Sequence, residues 1–376
     1  MIAIYIHVPF CKQACHYCNF HFSTNQSGKP LFVKALLKEM SLRKDEFQNQ
    51  PVASIYFGGG TPSLLNKSEL EEIFYHLNTT FDISPSAEIT LEANPDDINI
   101  SLLQVWRNLS INRISLGIQS FQPHALTWMN RAHNNQDALN ALRLIAEAGF
   151  DNMTADLIYG VPGVSDDQWM SDILALTDRK IPHISAYCLT VEDETALAHF
   201  VKKGTSPPVQ EEQANRQFDL LIKILTEKGY QHYEISNFAL PGMEANHNSS
   251  YWLGRHYMGL GPSAHSYNGS SRYWNVANNK KYTEALNAGI LPPNEIEILS
   301  ETQKFNEYIL TRLRTHWGVN PNDMSDPFKS TFLEEVKEFI PDMIFESDGS
   351  YFLTTQGKMW ADHISSQLFA SEEQRS

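Results

Sequence analysis

Residues 2–20 read IAIYIHVPFCKQACHYCNF. The run Ile2–Val8 is rich in β-branched and aromatic residues and predicts a first strand. Cys11, Cys15 and Cys18 follow it directly at spacing C-x3-C-x2-C. In a parallel barrel the end of a strand is the end that carries active sites. Thiolates are soft ligands, so a loop this tight suits one compact metal centre, an iron–sulfur cluster or a zinc ion. A structural zinc needs four ligands, and His16 or His21 would supply the fourth. Three buried structural cysteines are the plainer alternative.

Outward from this stretch, short β-branched runs alternate with amphipathic ones as far as about Thr226. Strands are predicted at Ile2–Val8, Ser54–Phe57, Glu88–Glu92, Arg113–Ile118, Asn152–Ile158 and His183–Leu189. Helices are predicted near Leu31–Glu46, Lys67–Leu77, Ser101–Leu109, Asn135–Ala148, Asp166–Leu176 and Glu211–Lys228, with Ser68 and Asp137 as start signals. Six βα units are too few to close an eight-stranded barrel, so an α/β fold with an open parallel (βα)6 partial barrel is expected over residues 1–280. Periodicity fades from Tyr230 to Asn279, where Gly, Asn, Ser and aromatic residues dominate, and a long structured loop is expected there. Beyond Pro292-Pro293 the pattern returns to helices, Thr302–His316 and Pro327–Phe339, with an Asp348-Gly349 turn between two apolar runs. Residues 293–376 therefore read as a small helical domain with a hairpin, similar to a winged helix.

Lys and Arg number 29 against 44 Asp and Glu, a formal charge of −15. That balance disfavours a surface built to release counterions from nucleic acid, and the small domain shows no basic stripe. Three of the four cysteines crowd into eight residues, which suits a reducing compartment rather than a disulfide framework. No apolar stretch approaches the roughly 20 residues of a membrane span, and the opening lacks the basic start of a signal peptide. A cytoplasmic protein without a membrane span is expected.

The triplet Cys11, Cys15, Cys18 with Tyr17 between the last two resembles the radical S-adenosylmethionine (SAM) superfamily. That resemblance implies a [4Fe-4S] cluster whose open iron is chelated by SAM. Seven further stretches agree in order: YFGGGTPS at 56–63, LEANP at 91–95, SLGIQSF at 115–121, MNRAHN at 129–134, DLIYGVPG at 156–163, NHNSSYW at 246–252 and GLGPSAHSY at 259–267. Together with YIHVPFC at 5–11 they are similar to the oxygen-independent coproporphyrinogen oxidase group, and more closely to its haem-chaperone branch.

Residue by residue, the resemblance implies SAM contacts at Glu92 and Asp156, a hydrogen-bonding partner in Gln119 and a carboxylate grip from Arg131, whose rigid fork suits the task. Tyr5 would lie against SAM, Tyr17 would cover the cluster or adenine, and Thr190 is a weaker carry-over. Gly59 and Gly60 follow the second strand, where absent side chains let the backbone approach the methionyl amine, and Thr61 stiffens the turn. Cys188, isolated in an apolar strand, reads as a small buried hydrophobe and not a ligand.

Two departures separate chaperone from decarboxylase. The decarboxylase pattern has a fourth cysteine where this chain has Phe20, and an N-terminal extension ahead of the triplet. The expected function is therefore a haem chaperone that passes haem to an acceptor protein, soluble or membrane-associated. A SAM-dependent coproporphyrinogen III oxidase, or a radical SAM enzyme acting on another substrate, is the alternative. His247 in the NHNSSYW stretch is the expected axial ligand of the haem cargo, on an accessible surface from His247 to Tyr267 near the barrel mouth, with His265 as a second candidate. Trp252 would either pack on the porphyrin or anchor the segment to the barrel.

Overall fold

The computed structural model describes residues 1–47 and 50–371. Six parallel strands run in sequence order: β1 (Ile2–Val8), β2 (Val52–Gly59), β3 (Ile83–Ala93), β4 (Arg113–Gln119), β5 (Met153–Tyr159) and β6 (His183–Cys188). The helices between them are α1 (Lys29–Arg43), α2 (Lys67–Thr80), α3 (Ile100–Asn108), α4 (Pro123–Trp128), α5 (Asn135–Glu147) and α6 (Asp166–Thr177). After β6 come α7 (Ala196–Lys202) and α8 (Glu211–Glu227). The chain settles into helix where a polar cap meets the first free backbone amides. Asn66 with Glu69 and Asn134 with Asp137 form reciprocal capping boxes. Thus Asn66 and Asn134 are the caps, while Ser68 is the second and Asp137 the third residue of its helix.

Alternation along each strand builds a two-sided wall. Ile4, Ile6, Ile55, Phe57, Leu91, Ile114, Leu116, Ala155, Leu157 and Ile184 belong to the core under the helices. Their neighbours Tyr5, Tyr56, Glu92, Ser115, Asp156 and Ser185 turn to the lumen, where the parallel register sets Glu92 opposite Ser115 and Asp156 opposite Ser185. A parallel strand in a closed core is apolar on both faces, so this polar inner face marks a hollow barrel.

The stretch 230–280 departs from the expected loop. It holds β7 (Gln231–Glu234), β8 (Asn237–Ala239), α9 (Asn246–Trp252), β9 (Tyr257–Leu260), β10 (His265–Tyr267) and β11 (Ser271–Asn275). Strands of three to five residues carry too little periodicity to be read alone, and here each is held by hydrogen bonds from its neighbours in the sheet. β8 pairs antiparallel with β6, and β9 runs parallel to β1 with Tyr5 opposite Gly259. After α10 (Asn279–Asn287), β12 (Asn294–Ile298) closes the far edge of a twelve-stranded sheet ordered β12-β11-β10-β9-β1-β2-β3-β4-β5-β6-β8-β7.

Residues 294–298 therefore join the large sheet, and the second core starts beyond them, at α11 (Glu301–Leu313). That core gathers Phe305, Ile309, Phe332, Ile344, Leu353 and Ile364 from α11, α12 (Phe328–Glu335), a hairpin of β13 (Ile344–Ser347) and β14 (Ser350–Leu353), α13 (Thr355–Met359) and α14 (Ala361–Gln367). Residues 372–376 of the expected small domain lie outside the described residues. Among the described residues no helix is long and apolar enough to cross a membrane.

Candidate functional site

The cysteine loop is held over the C-terminal ends of the strands by its backbone. Gly60 N–H donates to Val8 O at 2.9 Å and Thr61 N–H to Phe10 O at 2.7 Å, stitching the β2 turn to the loop. On the other side Gln13 donates to Asn130 Oδ1 at 2.6 Å, and Asn130 Nδ2 returns a bond to Ala14 O at 2.7 Å. The glycines serve this stitching. Gly59 has φ +99°, and a Cβ at Gly60 would stand 2.6 Å from Phe10 O. The space their missing side chains leave is filled by the protein's own backbone and the His7 ring, not held open for a ligand as the turn alone suggested.

Side-chain hydrogen bonds hold the Cys11 and Cys15 thiols, and the Phe20 backbone bonds Cys18. Thr61 bonds the Cys11 thiol and accepts from Asn94 Nδ2 at 3.2 Å. Asn94 Oδ1 in turn accepts from Arg131 Nη2 at 2.6 Å, and Arg131 Nη1 donates to Cys15 Sγ at 3.3 Å. Burial, then the neighbouring thiols, pushes the Cys11 thiol up to about 11, and burial raises Cys18 as well. Among the described residues no group of three or more His, Cys, Asp or Glu is gathered closely enough to chelate one ion. His16 is drawn to Trp128 O at 2.8 Å and His21 to Asn279 Oδ1 at 2.7 Å, which leaves a fourth zinc ligand unprovided. Three mutually coupled thiols on one short loop fit a cubane cluster, with Arg131 supplying positive charge beside an anionic centre.

Arg131 therefore does not present a free fork. One arm is committed to Cys15, the other to Asn94 Oδ1 and to Gly117 O at 2.7 Å, and only its buried Nε lacks a partner. In this arrangement Arg131 grips the cysteine loop.

Below the loop the lumen carries two carboxylates within electrostatic reach of each other. Tyr56 Oη donates to Glu92 Oε1 at 2.8 Å, and Ser115 Oγ donates to Asp156 Oδ2 at 3.3 Å. Burial, with Asp156 nearby, raises Glu92 to about 7, and burial raises Asp156 to about 6. For Asp156 the burial outweighs the Arg113 and Arg131 charges that act to lower it. Tyr5 and Tyr56 stack at 6.2 Å on the same wall. Tyr187, deep in the barrel, still keeps 47% of its surface accessible because it faces the hollow. Gln119 ends β4 with φ +68°, a left-handed conformation for a non-glycine residue. Asp172 on α6 fixes the following turn by accepting from Ser120 Oγ at 2.6 Å, Phe121 N at 3.2 Å and Gln122 Nε2 at 2.7 Å.

Thus Cys11, Cys15, Cys18, Tyr17, Thr61 and Arg131 meet at the loop, while Tyr5, Glu92 and Asp156 meet in the lumen. Thr190 is exposed past the end of β6 and takes no part in the lumen's hydrogen bonds, and Cys188 is exposed rather than buried. Sequence reasoning missed Asn94, Tyr56, Tyr187, Ser115, Ser185 and Asp172. Asn94, Tyr56 and Ser115 sit inside quoted motifs, Ser115 and Ser185 are the cross-strand partners of Glu92 and Asp156, and alternation from Ser185 leads to Tyr187.

The segment at 246–252 is α9, and it plugs the opposite, N-terminal end of the barrel. Glu88 on β3 accepts from Asn246 N at 3.0 Å and His247 N at 2.9 Å, and pairs with Arg113 at 3.8 Å. His247 is 2% exposed. Its Nδ1 bonds Ser54 Oγ at 2.9 Å, its Nε2 bonds Tyr251 Oη at 3.0 Å, and its ring stacks on Tyr56 at 5.0 Å. Both nitrogens are taken and the ring is far from the mouth, so the expected haem ligand at an accessible surface is instead a floor residue. Trp252 lies under the Arg314 guanidinium at 5.9 Å, tying α9 to the small domain. The floor residues Arg113, His183 and His247 line a cavity of about 110 Å³ together with Tyr5, Tyr56 and Tyr187.

The chain matches the family described as Radical SAM superfamily over residues 5–176. It is 32% identical over 346 residues to a protein of Lactococcus lactis named heme chaperone HemW, covering 90% of this chain and 88% of that one. A Mycobacterium tuberculosis protein of the same name is 33% identical over 367 residues, covering 96% and 93%. Among solved structures, coproporphyrinogen III oxidase (HemN) from Escherichia coli, described as a radical SAM enzyme, superposes with a TM-score of 0.84 at 22% identity, over 98% of this chain and 90% of that one. That likeness is one of fold.

Proposed function

The chain belongs to the HemW heme chaperone family, and from that premise we propose that it binds haem and hands it to an acceptor protein, with Cys11, Cys15 and Cys18 holding a [4Fe-4S] cluster and SAM on its open iron. The observation that carries this reading is the near-full-length identity to the HemW proteins, which runs through the small C-terminal core as well as the barrel. Phe20, 66% exposed beside the cysteines, adds to it, because the resembling decarboxylases carry a fourth cysteine there.

The cluster, when bound, supplies one-electron chemistry and an iron site for the amino and carboxylate groups of SAM. This chain's residues do the rest. Glu92 and Asp156 offer carboxylates to the sulfonium and the ribose hydroxyls, and a cation between them would favour their charged forms against the burial that raises both. Tyr5 gives an aromatic wall, Gln119 a hydrogen-bonding amide, Tyr17 a cover over the thiols, and Gly59, Gly60 and Thr61 a fixed rim. Arg131 and Asn94 orient Cys15 and Cys11 through Thr61.

The test is anaerobic reconstitution followed by haem titration and by incubation with coproporphyrinogen III, SAM and reductant. Stoichiometric haem binding without decarboxylation is expected. Turnover of coproporphyrinogen without haem binding would move the assignment to the oxidase. Single Cys→Ser changes at positions 11, 15 and 18 should each abolish the cluster's visible absorption, and full iron and sulfide in C15S would refute the ligand set.

A further inference from the structure

Gln13 and Asn130 tie one flank of the cysteine loop with neutral hydrogen bonds, and the other flank is held by charge. Lys12, between Cys11 and Cys15, reaches across to the turn at Pro95–Asp97 that follows β3. Its Nζ meets Asp96 Oδ2 at 2.7 Å and also pairs with Asp97 Oδ1. Among the described residues no other cation pairs with either carboxylate, so one lysine answers two negative charges.

Both carboxylates are fixed. The Asp97 side chain is 4% exposed, and its second oxygen accepts from Ser63 Oγ at 2.6 Å. The second oxygen of Asp96, Oδ1, is buried and has no hydrogen-bond partner among the described residues. Their backbone is pinned as well, with Asp97 N–H donating to Asn94 O at 3.0 Å and Asn99 Nδ2 donating to Asp97 O at 3.2 Å. Lys12 keeps 38% of its side chain accessible, so the lysine adapts to a rigid acidic seat. Ser63, the last residue of the YFGGGTPS stretch, thereby has a task that the backbone stitching of Gly60 and Thr61 does not supply.

These charges belong to the cysteine site. Asp96 is two residues from Asn94, which holds Arg131 against Cys15, and the Asp96 charge reaches Arg131 as well. An iron–sulfur centre gains one negative charge on reduction, which nearby carboxylates oppose and nearby cations favour.

We propose that Lys12 is a positioning residue that acts as the counter-charge of this turn, keeping Asp96 and Asp97 from depressing the reduction potential of the cluster. The proposal rests on the assignment of a [4Fe-4S] cluster to Cys11, Cys15 and Cys18.

The experiment titrates the full-length, reconstituted chain anaerobically with dithionite and reads the reduced cluster by electron paramagnetic resonance at fixed potentials. It compares wild type with K12Q, K12R, D97N and K12Q/D97N. At a fixed potential K12Q should lower the ratio of reduced to oxidised cluster about tenfold, equivalent to about 59 mV for one electron. D97N should move the ratio the opposite way. K12Q/D97N, with the same net charge as wild type, should return close to it, and K12R should match it. An ion pair that served only to hold the loop would behave differently, because K12Q and D97N break the same contact and would shift the cluster in the same direction. Shifts of the same sign in those two variants, or an unchanged ratio in K12Q, overturn the proposal. Should K12Q take up no iron and sulfide, D97N decides, and a ratio at or below wild type there overturns it. If wild type itself takes up no cluster, the assignment of the cysteines fails and the proposal falls with it.

Discussion

Asp156 faces the lumen, where burial raises its carboxyl more than the Arg113 and Arg131 charges lower it, and replacing it should make the protein more stable while making it unable to hold SAM. Burial raises its carboxyl from 3.8 to about 6. At about 1.4 kcal/mol for each tenfold change in proton affinity, an ionised Asp156 costs the folded state about 3 kcal/mol at neutral pH. The folded value lies above the unfolded one, so the folded state keeps the proton longer, and stability is lost as pH rises through the window from about 4 to about 6. D156N removes the charge while keeping the shape and an oxygen for Ser115 Oγ. Its advantage should be absent below about pH 4 and complete above about pH 7. For a chain of this size that is a rise of several degrees in the barrel's melting temperature, about 4–8 °C. The assay is thermal unfolding by calorimetry at pH 4 and pH 7.5, resolving the barrel from the small domain because two cores need not melt together. Adding SAM should raise the wild-type transition and leave D156N unmoved. A variant no more stable than wild type at pH 7.5, or an advantage independent of pH, would refute the reasoning.

At Gly60 a methyl group would meet two backbone oxygens, Phe10 O at 2.6 Å and Val8 O at 2.7 Å, which cannot step aside as a flexible side chain would. G60A should therefore fold its helices yet fail to incorporate iron and sulfide, measured on the reconstituted protein. Glu88 is 5% exposed and caps α9 while facing Arg113, so E88A should strand two amides and a buried cation. The expected cost is about 3–5 kcal/mol, seen as accelerated amide exchange across α9 with the cluster intact. D172A frees the turn after Gln119, and SAM affinity should fall about tenfold, the loss of about 1.4 kcal/mol of orientation, with cluster content unchanged by iron assay.

The amino-acid sequence determined what depends on neighbours along the chain. The cysteine spacing, the strand Ile2–Val8 before it and the succession of βα units all follow from local periodicity and from groups only a few residues apart. Glu92 and Asp156 were legible too, as charges on strands that should otherwise be apolar. Tertiary structure alone decided which polar atoms were already spent. His247 reads as a free ligand until Ser54, from 193 residues earlier, and Tyr251 claim its two nitrogens. Arg131 reads as a free fork until Asn94, Gly117 and Cys15 occupy it. The strands β8 and β9 were hidden for the same reason, since three or four residues hold a strand there only because the distant β6 and β1 supply the ladder. Hydrogen-bond saturation is a property of contacts between segments far apart in sequence, so the residue types that carry chemistry are readable from sequence, while their availability is fixed only when the chain closes on itself.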